Sequence, residues 1–214
     1  MSEIPKELQS YSESLRYPVY DSWLHFYEED FRCDVYTEGL TPCLEHIKNF
    51  GGGLTLDRSI GWCDNLEIQT DADKVNRHSR DIFAQNGIPY IINVRFGDEK
   101  SYPFCFRDIP KDSILFVGAL GTQARADHKT IFYSGVCTMI ETLEPRALLI
   151  YGSVDKRFFF IMYSKGHYAS ALSKPKGSNS VKLPLQHNRQ FSPIEEIAPA
   201  LSFAEPRERD QLRG

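Results

Sequence analysis

Between about Thr41 and Gly152, short apolar runs alternate with longer stretches in which apolar residues recur every three or four positions. That alternation is the signature of strands joined by helices. The first helix is announced by Thr41 as N-cap and Pro42 at its first position, carries Leu44, Ile47 and Phe50, and stops at Gly51-Gly52-Gly53. A short strand, Leu54 to Leu56, then ends at Asp57. A second helix follows, capped by Thr70 or Asp71, with Ala72, Val75, Ser79, Ile82 and Phe83 on one face and a left-handed exit at Asn86-Gly87. It leads into Ile88 to Val94, apolar at nearly every position and rich in β-branched residues, as a strand covered on both faces requires. Ile114 to Val117, ending in Gly118, reads the same way. A third helix places Ile131, Phe132, Val136, Met139, Ile140 and Leu143 on one stripe and is ended by Pro145 before the strand Ala147 to Tyr151. The pattern predicts an α/β fold: a mostly parallel central sheet flanked by helices, in a single domain with a C-terminal extension.

The flanks are less regular. An N-terminal segment, residues 1–16, precedes an α/β domain assigned to 17–163, and 164–214 reads as an extended or partly disordered tail. The domain opens with Tyr17, Tyr20, Trp23, Phe26, Tyr27 and Phe31 interleaved with acids, which predicts a cap across the sheet or a further strand and helix. Phe158 to Tyr163 fits a strand or the start of a buried helix equally well. From Ser173 onward Lys, Pro, Ser, Asn and Gln dominate, leaving little apolar surface to offset the entropy of ordering. Within that tail, Ser192, Pro193 and the run Ile194 to Leu201 could form a short docked helix.

A chain of 214 residues with 41% hydrophobic content can build one proper core. Its longest apolar runs fall well short of the roughly 20 residues of a membrane span, and the polar stretch Met1 to Ser10 lacks the apolar region of a secretory signal. No membrane association and a cytoplasmic location are expected. Five cysteines, widely spaced and without a CxxC pair, encode neither a disulfide framework nor a zinc ribbon. A net charge of -4 argues against unspecific coating of nucleic acid while leaving room for a local basic site. The six histidines show no HxH, HxxxH or HExxH spacing.

In parallel sheets, ligands bind beyond the carboxyl ends of the strands, where loops and helix N-termini converge. That rule gathers Asp57 with Arg58 and Ser59, Asn93 with Arg95, Gly97, Asp98 and Glu99, Gly118 through Gly121 and Thr122, and Tyr151-Gly152-Ser153. Asp57, Arg95, Asp98 and Glu99 form the candidate catalytic set. The carboxylates would act as acid and base or hold a divalent cation such as magnesium, and Arg95 would grip a phosphate or carboxylate. Asn93, Gly97, Gly118, Gly121, Thr122, Tyr151, Gly152 and Ser153 form the candidate ligand-binding set. The competing reading makes Arg95 a structural partner of Asp57 or Asp98, with Asp98 opening a turn after Gly97. Gly118 to Thr122 could present backbone amides to an anion, yet it lacks the ending of a phosphate-binding Walker loop and the spacing of a dinucleotide fingerprint, so a plain tight turn competes. Tyr151-Gly152-Ser153 has the same two readings. His128, at the start of the third helix, lies on the ligand side and could exchange a proton.

Taken together, Pro18-Val19-Tyr20-Asp21-Ser22, Leu54-Thr55-Leu56-Asp57, Asn93-Val94-Arg95-Phe96-Gly97-Asp98-Glu99 with Phe104-Cys105-Phe106, Ile109-Pro110-Lys111-Asp112-Ser113 and Ile150-Tyr151-Gly152-Ser153 carry a resemblance. They resemble an uncharacterised family of domain-of-unknown-function proteins found mainly in bacterial phages, plasmids and other mobile elements, over about Tyr17 to Ser153. Other members of the family it resembles more often carry a Gly-Thr-His-Gly-like turn where this chain has Gly118-Ala119-Leu120-Gly121. The resemblance implies the cytoplasm of a bacterial host and a role in nucleic-acid processing, host takeover or counter-defence. Two functions stand side by side. One is a hydrolase or transferase acting on a nucleotide or nucleic acid. The other is a non-catalytic protein that binds a host or phage protein, or sequesters a nucleotide signal. For the first, Asp57→Ala and Asp98→Ala are expected to abolish activity with the melting temperature nearly unchanged; a large drop in stability would mark a structural pair instead.

Overall fold

The computed structural model describes residues 4–38, 40–122, 124–152, 168–172 and 180–182. Their elements run β1 (Glu7–Ser10), α1 (Tyr11–Ser14), β2 (Trp23–His25), α2 (Asp30–Glu38), α3 (Leu40–Ile47), β3 (Gly52–Leu54), α4 (Leu66–Gln85), β4 (Tyr90–Asn93), α5 (Tyr102–Cys105), β5 (Ile114–Gly118), α6 (Ala126–Leu143), β6 (Ala147–Tyr151), β7 (Tyr168–Leu172) and β8 (Ser180–Lys182). The sheet has the order β7-β6-β5-β4-β3-β2-β1-β8. Strands β1 to β7 are parallel, each beside its neighbour in sequence, and β8 closes the far edge antiparallel to β1. The fold is α/β, as the hydrophobic pattern predicts.

A strand order that never reverses has no switch point of the doubly wound kind. Each crossover steps the same way, so a right-handed connection keeps the helices on one side and the sheet curls. The packing follows this division. Leu115, Val117, Leu148 and Ile150 meet Phe132, Val136, Met139 and Ile140 of α6, while Leu24, Phe26 and Leu56 meet Ile47 of α3 and Phe83 of α4. On the opposite face Leu8, Trp23, Leu54, Ile91, Phe116 and Leu149 form a cluster drawn from the strands alone. Alternation along β5, with Ile114 and Phe116 inward and Leu115 and Val117 outward, thus serves two cores at once. Complete burial of a side chain such as Phe83 or Phe116 contributes roughly 1.5–3 kcal/mol.

Several boundaries differ from the sequence reading. Helix α4 starts at Leu66, not after Thr70 or Asp71, because Asn65 supplies the cap: its side chain accepts from the Ile68 amide at 2.9 Å. Leu66 and Ile68 are each 54% exposed, so the first turn carries no apolar stripe to betray it. The exit at Asn86-Gly87 is as expected, with Gly87 at φ 66°. Pro42 falls at the third position of α3, which begins at Leu40 after a separate helix α2. The aromatic segment supplies β2 and the start of α2, and β1, from the segment set before the domain, pairs with β2 inside the sheet. β7 and β8 arise within 164–214; Phe158 to Tyr163 and Ile194 to Leu201 lie outside the described residues.

The three-glycine run is the clearest correction. It does not merely end a helix: Gly52 and Gly53 belong to β3 and pair with Trp23, Leu24 and Tyr90. A Cβ on Gly52, whose φ is 152°, would stand 2.5 Å from the Pro89 carbonyl oxygen and 2.9 Å from the Trp23 ring. Glycine lets the inward Trp23 lie against the neighbouring strand. Gly52→Ala is therefore expected to cost about 2–3 kcal/mol, read as a lower urea midpoint, whereas an unchanged midpoint would mean the strand shifts freely.

Candidate functional site

Asp57 follows β3 by three residues, Asn93 ends β4, Tyr27 lies two residues beyond β2, and Arg95 lies two beyond β4. The curl brings all four to the carboxyl end of the sheet. The Asn93 Nδ2 donates to Asp57 Oδ1 at 2.6 Å and, more weakly, to the Leu56 carbonyl at 3.4 Å. The Tyr27 hydroxyl donates to Asn93 Oδ1 at 2.6 Å. Arg95 Nε stands 3.3 Å from the same Asp57 oxygen, an ion pair by distance, but makes no hydrogen bond although it is buried. Its Nη2 reaches Ser59 Oγ at 3.4 Å. Asp57 is thus the Arg95 partner; Asp98 is not.

Burial lifts the Asp57 carboxyl from its ordinary value of 3.8 to about 6, against the opposing pull of Arg95 and the Asn93 hydrogen bond, and Asp30 adds to the rise. Burial works against the Arg95 charge, yet Asp57 and the other groups around it hold its pKa above the ordinary value. Burial above all, then the Asp57 charge, pushes the Tyr27 phenol well above its usual range, so Tyr27 is a neutral donor.

Tyr27 is held by its ring. It stacks on Tyr151 at 4.7 Å with 4° between the planes, and His25 packs against both at 5.5 and 5.0 Å. Beneath it lies Gly118, where a Cβ would come within 2.5 Å of the tyrosine ring. Gly118 is therefore explained by close approach of an aromatic ring. Gly121, at φ 76°, and Thr122, whose hydroxyl donates to the Ala119 carbonyl at 2.8 Å, close a tight turn.

Beside Arg95 opens a pocket of about 120 Å³ between the ends of β4 and β5 and the first turns of α6. Arg95, Gly97, Gly118, Gly121 and Thr122 line it, together with His128 and Trp62, whose rings meet at 5.8 Å. Ile60 and Trp62 are not found by the strand-end rule; the signal in the sequence is a tryptophan in the loop that Asp57 opens, and in the structure Trp62 is 41% exposed. The other candidates go elsewhere. Asp98 accepts from the Lys100 amide at 3.3 Å and its carbonyl takes both donors of Ser101, a turn-building role. Glu99 is exposed beside it, and neither carboxylate bonds to Asp57 or Arg95. Tyr151 serves the ring stack, Gly152 at φ 111° lies against Leu120, and Ser153 is outside the described residues. Among the described residues no group of three or more His, Cys, Asp or Glu side chains is placed to hold a metal ion, and no helix is long and apolar enough to cross a membrane.

The model of a family described as a domain of unknown function, DUF4417, matches residues 1–164. The chain is 26% identical over 133 residues to the Gene 1 protein of Mycobacterium phage L5, covering 61% of this chain and 57% of that one. It is 23% identical over 130 residues to the Gene 1 protein of Mycobacterium phage D29, covering 60% and 48%. The aligned region therefore spans about half the length of these relatives. No solved structure matches.

The raised Asp57 pKa fixes a pH dependence. The folded state holds this proton more tightly than the unfolded chain, so the group contributes stability that is full below about pH 4 and lost as pH rises through about 6. Asp57→Asn is neutral at every pH and removes that slope. In urea titrations of both proteins, wild type is expected to lose on the order of 3 kcal/mol relative to Asp57→Asn between pH 4 and 7.5. A constant difference would mean that Asp57 titrates normally.

Proposed function

The chain belongs to the DUF4417 family, and from that premise and the geometry of its site we propose that it is a phage-type enzyme, a hydrolase or transferase, acting on a nucleotide or nucleic-acid substrate. The observation that carries this reading is Arg95, whose guanidinium pairs with a buried carboxylate at 3.3 Å and which lines a pocket with an aromatic rim. A guanidinium suits a phosphate oxygen pair, and Trp62 beside His128 offers a face for a base. About 120 Å³ is small against the several hundred Å³ of a pocket that swallows a whole ligand. It suits a phosphoryl group or one ring, with the remainder of the substrate lying across the open mouth. A carboxyl with a pKa of about 6 is well matched to take a proton near neutral pH.

A second reading is favoured by one feature: Asp57 stands behind Arg95 and is not among the residues lining the pocket. On that reading the same loops bind a nucleotide without turning it over. Recovery of unchanged nucleotide after prolonged incubation with stoichiometric protein separates sequestration from catalysis.

Arg95→Met keeps the length of the stem and removes the charge. Calorimetric titration with AMP, ATP and a 5′-phosphorylated oligonucleotide is expected to show at least a tenfold loss of affinity in this variant, roughly 1.4 kcal/mol or more. Equal affinity of wild type and Arg95→Met, or no binding by wild type, overturns the reading.

A further inference from the structure

We propose that Tyr27 is the positioning residue of this site, acting through Asn93 to keep the Asp57 carboxylate turned toward Arg95. The inference rests on the reading above only in giving Asp57 and Arg95 a task. Its own basis is the chain of bonds from Tyr27 Oη to Asn93 Oδ1 and from Asn93 Nδ2 to Asp57 Oδ1, each 2.6 Å long.

The direction of these bonds follows from donor and acceptor chemistry. An ionised carboxylate only accepts, so it needs the NH2 side of Asn93, and the amide oxygen must then face Tyr27. A neutral phenol donates to that oxygen. A protonated Asp57 could instead donate to the amide oxygen, which would turn Asn93 over and present NH2 to Tyr27. The orientation of Asn93 and the ionisation of Asp57 are thus linked, and the phenol proton favours the ionised pair. The weak bond from Nδ2 to the Leu56 carbonyl supports the same orientation.

Among the described residues, Tyr27 is the side chain shown to donate to the Asn93 oxygen. Asp57 is faced by Arg95 beyond β4, by Asp30 and Cys33 from α2, and by Tyr27 beyond β2, with Arg58 next along the chain. Tyr27 reaches past these groups to the Asn93 oxygen at 2.6 Å. The ring is fixed independently of the hydroxyl by the Tyr151 stack and the space over Gly118. Tyr27→Phe therefore removes one hydrogen bond and leaves the packing in place.

The Asp57 carboxyl carbon, labelled with ¹³C and assigned by its loss in Asp57→Asn, can be titrated by NMR in ligand-free protein. In Tyr27→Phe its midpoint is expected to rise by about one pH unit, a tenfold gain in proton affinity. Asn93→Leu is expected to move it the same way, and the double variant to add little. AMP affinity in Tyr27→Phe should be weakened at pH 6 to 7 and match wild type at pH 8.5. An unchanged midpoint in Tyr27→Phe overturns the proposal, as does weakened AMP binding that persists at pH 8.5. Should wild type bind no AMP, the proposed ligand fails, yet the titration still decides the role of Tyr27.

Discussion

The architecture at the carboxyl end of the sheet turns on one buried carboxylate. Asp57 is 8% exposed, and a charge in that position is costly unless other groups answer it. Three elements supply the answer: β4 brings Asn93, the loop after β4 brings Arg95, and the segment beyond β2 brings Tyr27 to orient Asn93. A curled parallel sheet in sequential order is what allows this. β2, β3 and β4 are consecutive neighbours, so residues just past their ends converge without a long loop. The polar chain replaces apolar packing where the inner core of Leu54, Ile91, Phe116 and Leu149 runs out.

That inner core imposes its own constraint. Among the described residues that interior is filled by side chains of the strands and by Tyr27 just beyond β2, and here large aromatics fill it at the expense of their neighbours' Cβ atoms. Trp23 lies over Gly52, and Tyr27 lies over Gly118. The same Tyr27 ring that fills the space above Gly118 carries the hydroxyl that orients Asn93. Packing and polar organisation therefore share a residue, and the shape of the interior sets the geometry of the site.

Periodicity revealed the elements that are long or uniformly apolar. Ile114 to Gly118, Ala147 to Tyr151 and the α6 stripe carry their burial in their own sequence. What escaped depends on tertiary partners. β1 is four residues and β2 three, too short for a pattern, and both are held by neighbours far along the chain. Gly52 and Gly118 read as punctuation because the aromatic rings that demand them lie 29 and 91 positions away. Asp57 and Arg95 were legible as a pair, while Tyr27 was lost among six aromatics of equal standing. Asp98 and Glu99 were gathered with Arg95 by nearness in sequence; the tight turn after Gly97 instead gives Asp98 a local amide to accept and leaves Glu99 in solvent.

Whether Asp57 and Arg95 act as a clasp or as working groups can be argued from how poorly they serve as a clasp. A buried ion pair stabilises when geometry is excellent and every remaining donor is answered. Arg95 instead leaves Nε without a hydrogen bond, and its Nη2 reaches Ser59 only at 3.4 Å. Asp57 keeps a pKa of about 6, so its burial costs more than Arg95 and Asn93 return. Replacing a buried ion pair by apolar residues of the same volume is often neutral or stabilising. On the proposed reading, Arg95 is kept for what it meets in the pocket it lines rather than for the loops it ties together.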